Sequence, residues 1–133
     1  MKKDIHMPEV KGVGIAITKK TESGEDEWFV YLINRNDSEL ENAMITSKGY
    51  GEMGGEEKKT SILRHMIEHV PAKSEALIEP IQPDLFFLDN EFWVSYYLNK
   101  ELYDKKFVIP AGDIKSDHLN QIEGTALFGK VYF

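Results

Sequence analysis

The 133-residue chain contains no cysteine. That absence excludes a disulfide framework, thiolate-held zinc or iron–sulfur centres and any cysteine nucleophile. Long apolar runs are missing too: the longest candidates, such as Phe29 to Ile33, are strand-sized, well short of the ~20 residues a membrane-spanning helix needs. Cations are scarce, with 16 Lys+Arg against 23 Asp+Glu and a formal net charge of −7. Affinity for nucleic acid rests mainly on Lys and Arg neutralising phosphates, so no nucleic-acid partner is expected, and no membrane partner either. Lys2 and Lys3 imitate a secretory n-region, but Asp4, His6 and Glu9 interrupt it and no apolar h-region follows. A soluble, cytoplasmic protein is expected. A chain of this length can bury about 68% of its extended surface, so a core without staples is within reach.

The apolar residues present recur mostly with a period of two. Val13, Ile15 and Ile17 alternate with Gly14, Ala16 and Thr18, which predicts a strand with one buried face. The polar stretch Lys19 to Glu27, centred on Ser23-Gly24, reads as the connection to Trp28-Phe29-Val30-Tyr31-Leu32-Ile33, a strand apolar on both faces and hence central. Ala43 to Thr46 reads as a short strand ended by the glycine-rich stretch from Gly49 to Gly55. Residues 58–70 are ambiguous. Ile62, Leu63, Met66, Ile67 and Val70 fit a helical stripe, while Thr60 to Ile67 also fits a strand with both faces mixed. Val70 to Ser74 is a turn on the strand reading. The clearest hairpin is Phe92 to Leu98, a tight turn at Asn99-Lys100-Glu101, and Leu102 to Ile109. Residues 1–8 and 113–133 are weakly patterned, although Ala126 to Phe133 could add an edge strand. Six to eight short strands about ten residues apart, with no long helix required, predict a single all-β domain over residues 1–133: an antiparallel β-sandwich, Ig-like in connectivity.

Three strings imitate chemistry. His65-Met66-Ile67-Glu68-His69 matches H-x-x-E-H, in which two histidines four apart on a helix share a metal and the glutamate activates its water. On a strand the same histidines would stand ~13 Å apart, too far for one ion. From Gly51 onward the spacing imitates a Nudix box through Glu57 and Arg64, but Arg64 comes one residue early and His65, Glu68 and His69 occupy the positions where three carboxylates would gather magnesium. Gly49-Tyr50-Gly51-Glu52-Met53-Gly54 satisfies G-x-G-x-x-G, yet it lacks a parallel βαβ setting, and Glu52, Glu56 and Glu57 would repel phosphates. The simpler reading is a turn whose glycines supply positive φ. No G-x-S-x-G elbow is present. The fifteen aromatics, Trp28, Trp93, Tyr96 and Tyr97 among them, are expected in the core and in cross-strand pairs rather than in a groove. Tyr50, between two glycines on an expected loop, is a contact candidate.

The segments Val30 to Asn34, Gly49 to Gly51, Lys58 to Ser61, Leu63 to His65, Val70 to Ser74, Ile78 to Ile81, Asn90 to Ser95 and Tyr103 to Lys106 carry a resemblance to a group of short uncharacterised bacterial proteins. Some of these bear the label of a phenylalanyl-tRNA synthetase subunit, which would imply an accessory role in tRNA aminoacylation. The resemblance brings no catalytic residue and no cofactor. Leu32-Ile33-Asn34 followed by Ala43 to Ile45 also resembles the strand–turn–strand of Ig-type modules, which implies binding by fold analogy.

Three functions follow as expectations. The first is a non-enzymatic binding or scaffolding module that engages a protein partner or a second copy through exposed edge strands, with no catalytic residue and no cofactor. The second is a small metal-dependent hydrolase using His65, Glu68 and His69. The third is the accessory role in aminoacylation.

Overall fold

In a computed structural model, residues 8–133 are described; the weakly patterned segment 1–7 lies outside them. Ten strands follow in order: β1 (Val13–Glu22), β2 (Glu25–Asn34), β3 (Leu40–Met53), β4 (Glu56–Lys59), β5 (Leu63–Val70), β6 (Ser74–Pro80), β7 (Asp89–Leu98), β8 (Glu101–Ile109), β9 (Asn120–Gln121) and β10 (Phe128–Tyr132). A 3-10 turn, Pro83–Phe87, precedes β7. All pairings are antiparallel. The first sheet has the order β6-β2-β1-β10-β9; the second has β4-β3-β7-β8, with β5 also on β3. Strand order β6-β2-β1 facing β3-β7-β8 is the arrangement of Ig-type sandwiches, here widened by β10 and β9 beside β1 and by β4 and β5 beside β3.

The alternating residues of the two inner faces meet in one core. Ile15 and Ile17 from β1 and Val30 and Leu32 from β2 pack with Ile45 from β3, Phe92, Val94 and Tyr96 from β7, and Phe107 and Ile109 from β8. β1, expected to bury one face, buries both: Val13 to Thr18 are all buried. Its Gly14, Ala16 and Thr18 are small because chain lies against them. Ala16 and Ile33 pack with Ile122, Leu127 and Val131 on the outer side, and a Cβ at Gly129 would overlap the carbonyl oxygen of Ile17. The segment after Gly112 is thus a cover and a strand for the first sheet.

Two other expectations are corrected, and the open reading of residues 58–70 resolves to strand. Lys19 to Glu27 is no loop, because β1 and β2 stay paired out to Glu22 and Glu25 around a two-residue turn, Ser23-Gly24, with φ of 51° and 79°. Two consecutive positive φ values make the turn whose twist matches that of the flanking strands. Asn99-Lys100 does the same between β7 and β8, with φ of 50° and 68°. Gly49-Tyr50-Gly51 lies inside β3 rather than in a turn, and the chain reverses only at Gly54-Gly55. Residues 58–70 resolve to β4 and β5, separated by a break at 60–62. There Thr60 replaces the ladder, its amide donating to the Gly49 carbonyl at 2.9 Å and its hydroxyl accepting from the Gly49 amide at 2.7 Å.

Candidate functional site

β5 forms one edge of the second sheet and, among the described residues, pairs with β3 alone. Its sequence, Leu63-Arg64-His65-Met66-Ile67-Glu68-His69-Val70, alternates so that Arg64 and Met66 stand outward while His65 and Ile67 are half-buried toward the interior. On the outer face Met66 lies opposite Met44 of β3, which in turn faces Ser95 of β7. The next row joins Arg64, Thr46, Trp93 and Lys106. Met66 is 60% exposed, Met44 54% and Trp93 42%, so this side of the sheet offers apolar surface to water. The charges around Trp93 are already engaged. Its indole N–H donates to Asp104, the Lys106 ammonium sits 5.9 Å over its ring, and Lys48 pairs with Glu91 at 3.7 Å.

Behind β5 the two sheets are joined by a polar cluster. Between Val30 and Tyr31 the β2–β6 register shifts, leaving Ile78 without a partner on β2. A bulge turns two adjacent side chains to one face, so both Ile78 and Glu79 are buried. A buried carboxylate needs hydrogen-bond donors. Glu79 accepts from the Ser47 hydroxyl at 2.9 and 3.1 Å and meets His65 Nε2 at 2.6 Å. Here the carboxylate stands between hydroxyl and imidazole, whereas nucleophile activation needs the imidazole in the middle. The cluster bridges β6 to β3 and β5 and closes one wall of a cleft of about 140 Å³ lined by Thr60, Leu63, Asn90 and Phe92. A larger cleft of about 240 Å³ at the end of the sandwich mixes Arg35 and Lys73 with Glu75 and Glu123, so it selects no ligand charge.

The residues of the H-x-x-E-H string do not converge. On a strand His65 and His69 are separated by ~13 Å, and each has its own acidic neighbour: Glu79 for His65, and Glu39 for His69 at 3.2 Å. Glu68 is exposed. Among the described residues no group of three or more His, Asp or Glu is placed to hold a metal ion. Tyr50 is on a strand, not a loop, and is half-buried; its hydroxyl donates to Glu91 at 3.3 Å. Burial and then the Glu91 charge push its phenol above the ordinary value. The exposed methionines escaped sequence reasoning. Met66 was absorbed by the helical stripe, and the available signal was that Met44 and Met66 both fall on the outward parity of strands.

In comparisons with known proteins, no family model, no curated protein and no solved structure matches the chain. No helix is long and apolar enough to cross a membrane among the described residues.

Proposed function

We propose that the chain is a non-enzymatic binding module whose partner is a protein engaged along the β5 edge and the adjoining outer face around Met44 and Trp93. The observation that carries this reading is the contrast among the edges. A bare edge invites another strand, and folded proteins blunt it with lysine, proline, bulges or brevity. β6 has its bulge and ends in Pro80, β8 carries Lys105 and Lys106, β9 has two residues, and β4 is Glu-Glu-Lys-Lys. β5 has neither lysine nor proline, its charges Arg64 and Glu68 are opposite in sign, and it presents Leu63, Met66 and the neighbouring Met44. Methionine and tryptophan are enriched where proteins meet, and adding a strand supplies backbone hydrogen bonds.

The test is affinity purification of the tagged full chain from its native cell, alongside a differently tagged second copy. Met66→Lys and Met44→Lys are expected to abolish whatever associates, while Lys20→Ala at the far hairpin leaves it intact. An associated chain retained by both lysine variants, or no associated chain of any kind, would overturn the reading.

A further inference from the structure

Resting on that reading, we infer that the occupant of the β5 edge is a second copy of this chain, paired antiparallel about a two-fold axis at Met66. β5 is bounded by the break at 60–62 and by Pro71, so its free edge offers eight residues and few registers. A two-fold perpendicular to the sheet keeps like faces together, because directly opposed residues on antiparallel strands share a face. Centred on His65 or Ile67, the pairing would oppose His65 to itself or to His69 of the second copy. Centred on Met66, it opposes Arg64 to Glu68 of the second copy twice, and His65 to Ile67 twice, with Met66 on its own mate. Neither Arg64 nor Glu68 has an ion-pair partner within the chain among the described residues, so both are available to pair across the edge. The edge is thus self-complementary in charge and apolar at its centre. It is also locally neutral in a chain carrying −7, which keeps two copies from repelling where they meet.

The same two-fold operation on β8 fares worse, since its central Lys105 would face itself. Pairing through β5 fuses two second sheets into one continuous sheet. It also sets Met44 and Met66 of both copies side by side on one apolar face.

The experiment is sedimentation velocity on the full chain over a wide concentration range, with circular dichroism confirming the β fold of each variant. The wild type is expected to show a reversible monomer–dimer equilibrium, and Met66→Lys to give monomer, because two ammonium groups would face each other. Arg64→Glu and Glu68→Arg singly are each expected to weaken the dimer about tenfold or more, since each replaces an attraction with a like-charge contact. The combined reversal, Arg64→Glu with Glu68→Arg, restores it to within about threefold of wild type. A wild type that stays monomeric, a dimer indifferent to Met66→Lys, or a double reversal that fails to restore pairing overturns the inference. A monomer that still captures a different protein through Met66 overturns the dimer alone. A monomer that captures nothing overturns the binding reading as well.

Discussion

Tyr96 sits 1% exposed on the inner face of β7, its ring stacked on Tyr103 at 5.2 Å, and its hydroxyl has no hydrogen-bond partner. Burial holds that phenol far above its ordinary range. A buried donor without an acceptor costs about 1–3 kcal/mol, so Tyr96→Phe, which keeps the ring and removes the orphan, is expected to stabilise the fold by up to roughly that amount. Urea denaturation with an unchanged slope and a raised midpoint is the readout; a midpoint lowered well below wild type contradicts the assignment. Asp113 is the opposite case. Its carboxylate accepts from Lys130 at 2.7 Å and from the Tyr132 hydroxyl, and these bonds hold it below the usual carboxylate range. A depressed folded value means stability that is present above the unfolded value and lost as pH falls through the folded one. Asp113→Asn should therefore be less stable than wild type at neutral pH, by about 1 kcal/mol or less because the pair is a third exposed. The gap should close in acid, as measured by thermal melts across a pH series. Burial, and then the same carboxylate, raises the Tyr132 phenol.

Among the elements, β10 is held by sterics as much as by its ladder. Gly129 lies opposite Thr18, where a methyl group would overlap the main chain of Ile17. Backbone cannot swing aside as a long side chain can. Gly129→Ala is expected to cost about 1–3 kcal/mol or more by overpacking, and hydrogen exchange should show β10 loosening before the rest of the first sheet. Glu79 tests the bridge between the sheets. Glu79→Ala strands the buried Ser47 hydroxyl and is expected to cost about 1–3 kcal/mol, most of it relieved when Ser47→Ala is added. Hairpin signals were the most legible in the sequence, because Asn99-Lys100 between two aromatic strands is local chemistry with one geometric solution. The polar arms of β1 and β2 were not legible. Lys19, Thr21, Asp26 and Glu27 point to no core, and their strand state comes from continuing a ladder started by apolar residues further back. Gly49 and Gly51 misled for a related reason: a glycine within a strand marks close approach as readily as a turn, and here Thr60 and Leu88 press on them. Glu79 was invisible, since a bulge is a misfit between two strands and belongs to neither sequence alone.

At the scale of the whole molecule, the charge of −7 bears on partners directly. The chain is expected to give no mobility shift with duplex DNA or tRNA even at low salt, where phosphate binding is strongest; a shift that collapses as salt is raised contradicts this. The fold class was legible because strand periodicity pervades the chain. The binding edge was not, because an edge is defined by which strand finally has one neighbour. That depends on pairings between residues far apart, such as Leu40 with Val70 and with Leu98.

The pairing of Ile15–Thr18 with Gly129–Tyr132 also has a consequence in time. β1 is the middle strand of the first sheet, yet one of its flanks stays open until residues 128–132 are free to reach it. Closing so long a loop is slow, and a chain emerging from the ribosome would hold a half-zipped apolar strand until residues 128–132 have followed it out. Solubility during expression should therefore depend on β10 more than the five residues of that strand would suggest.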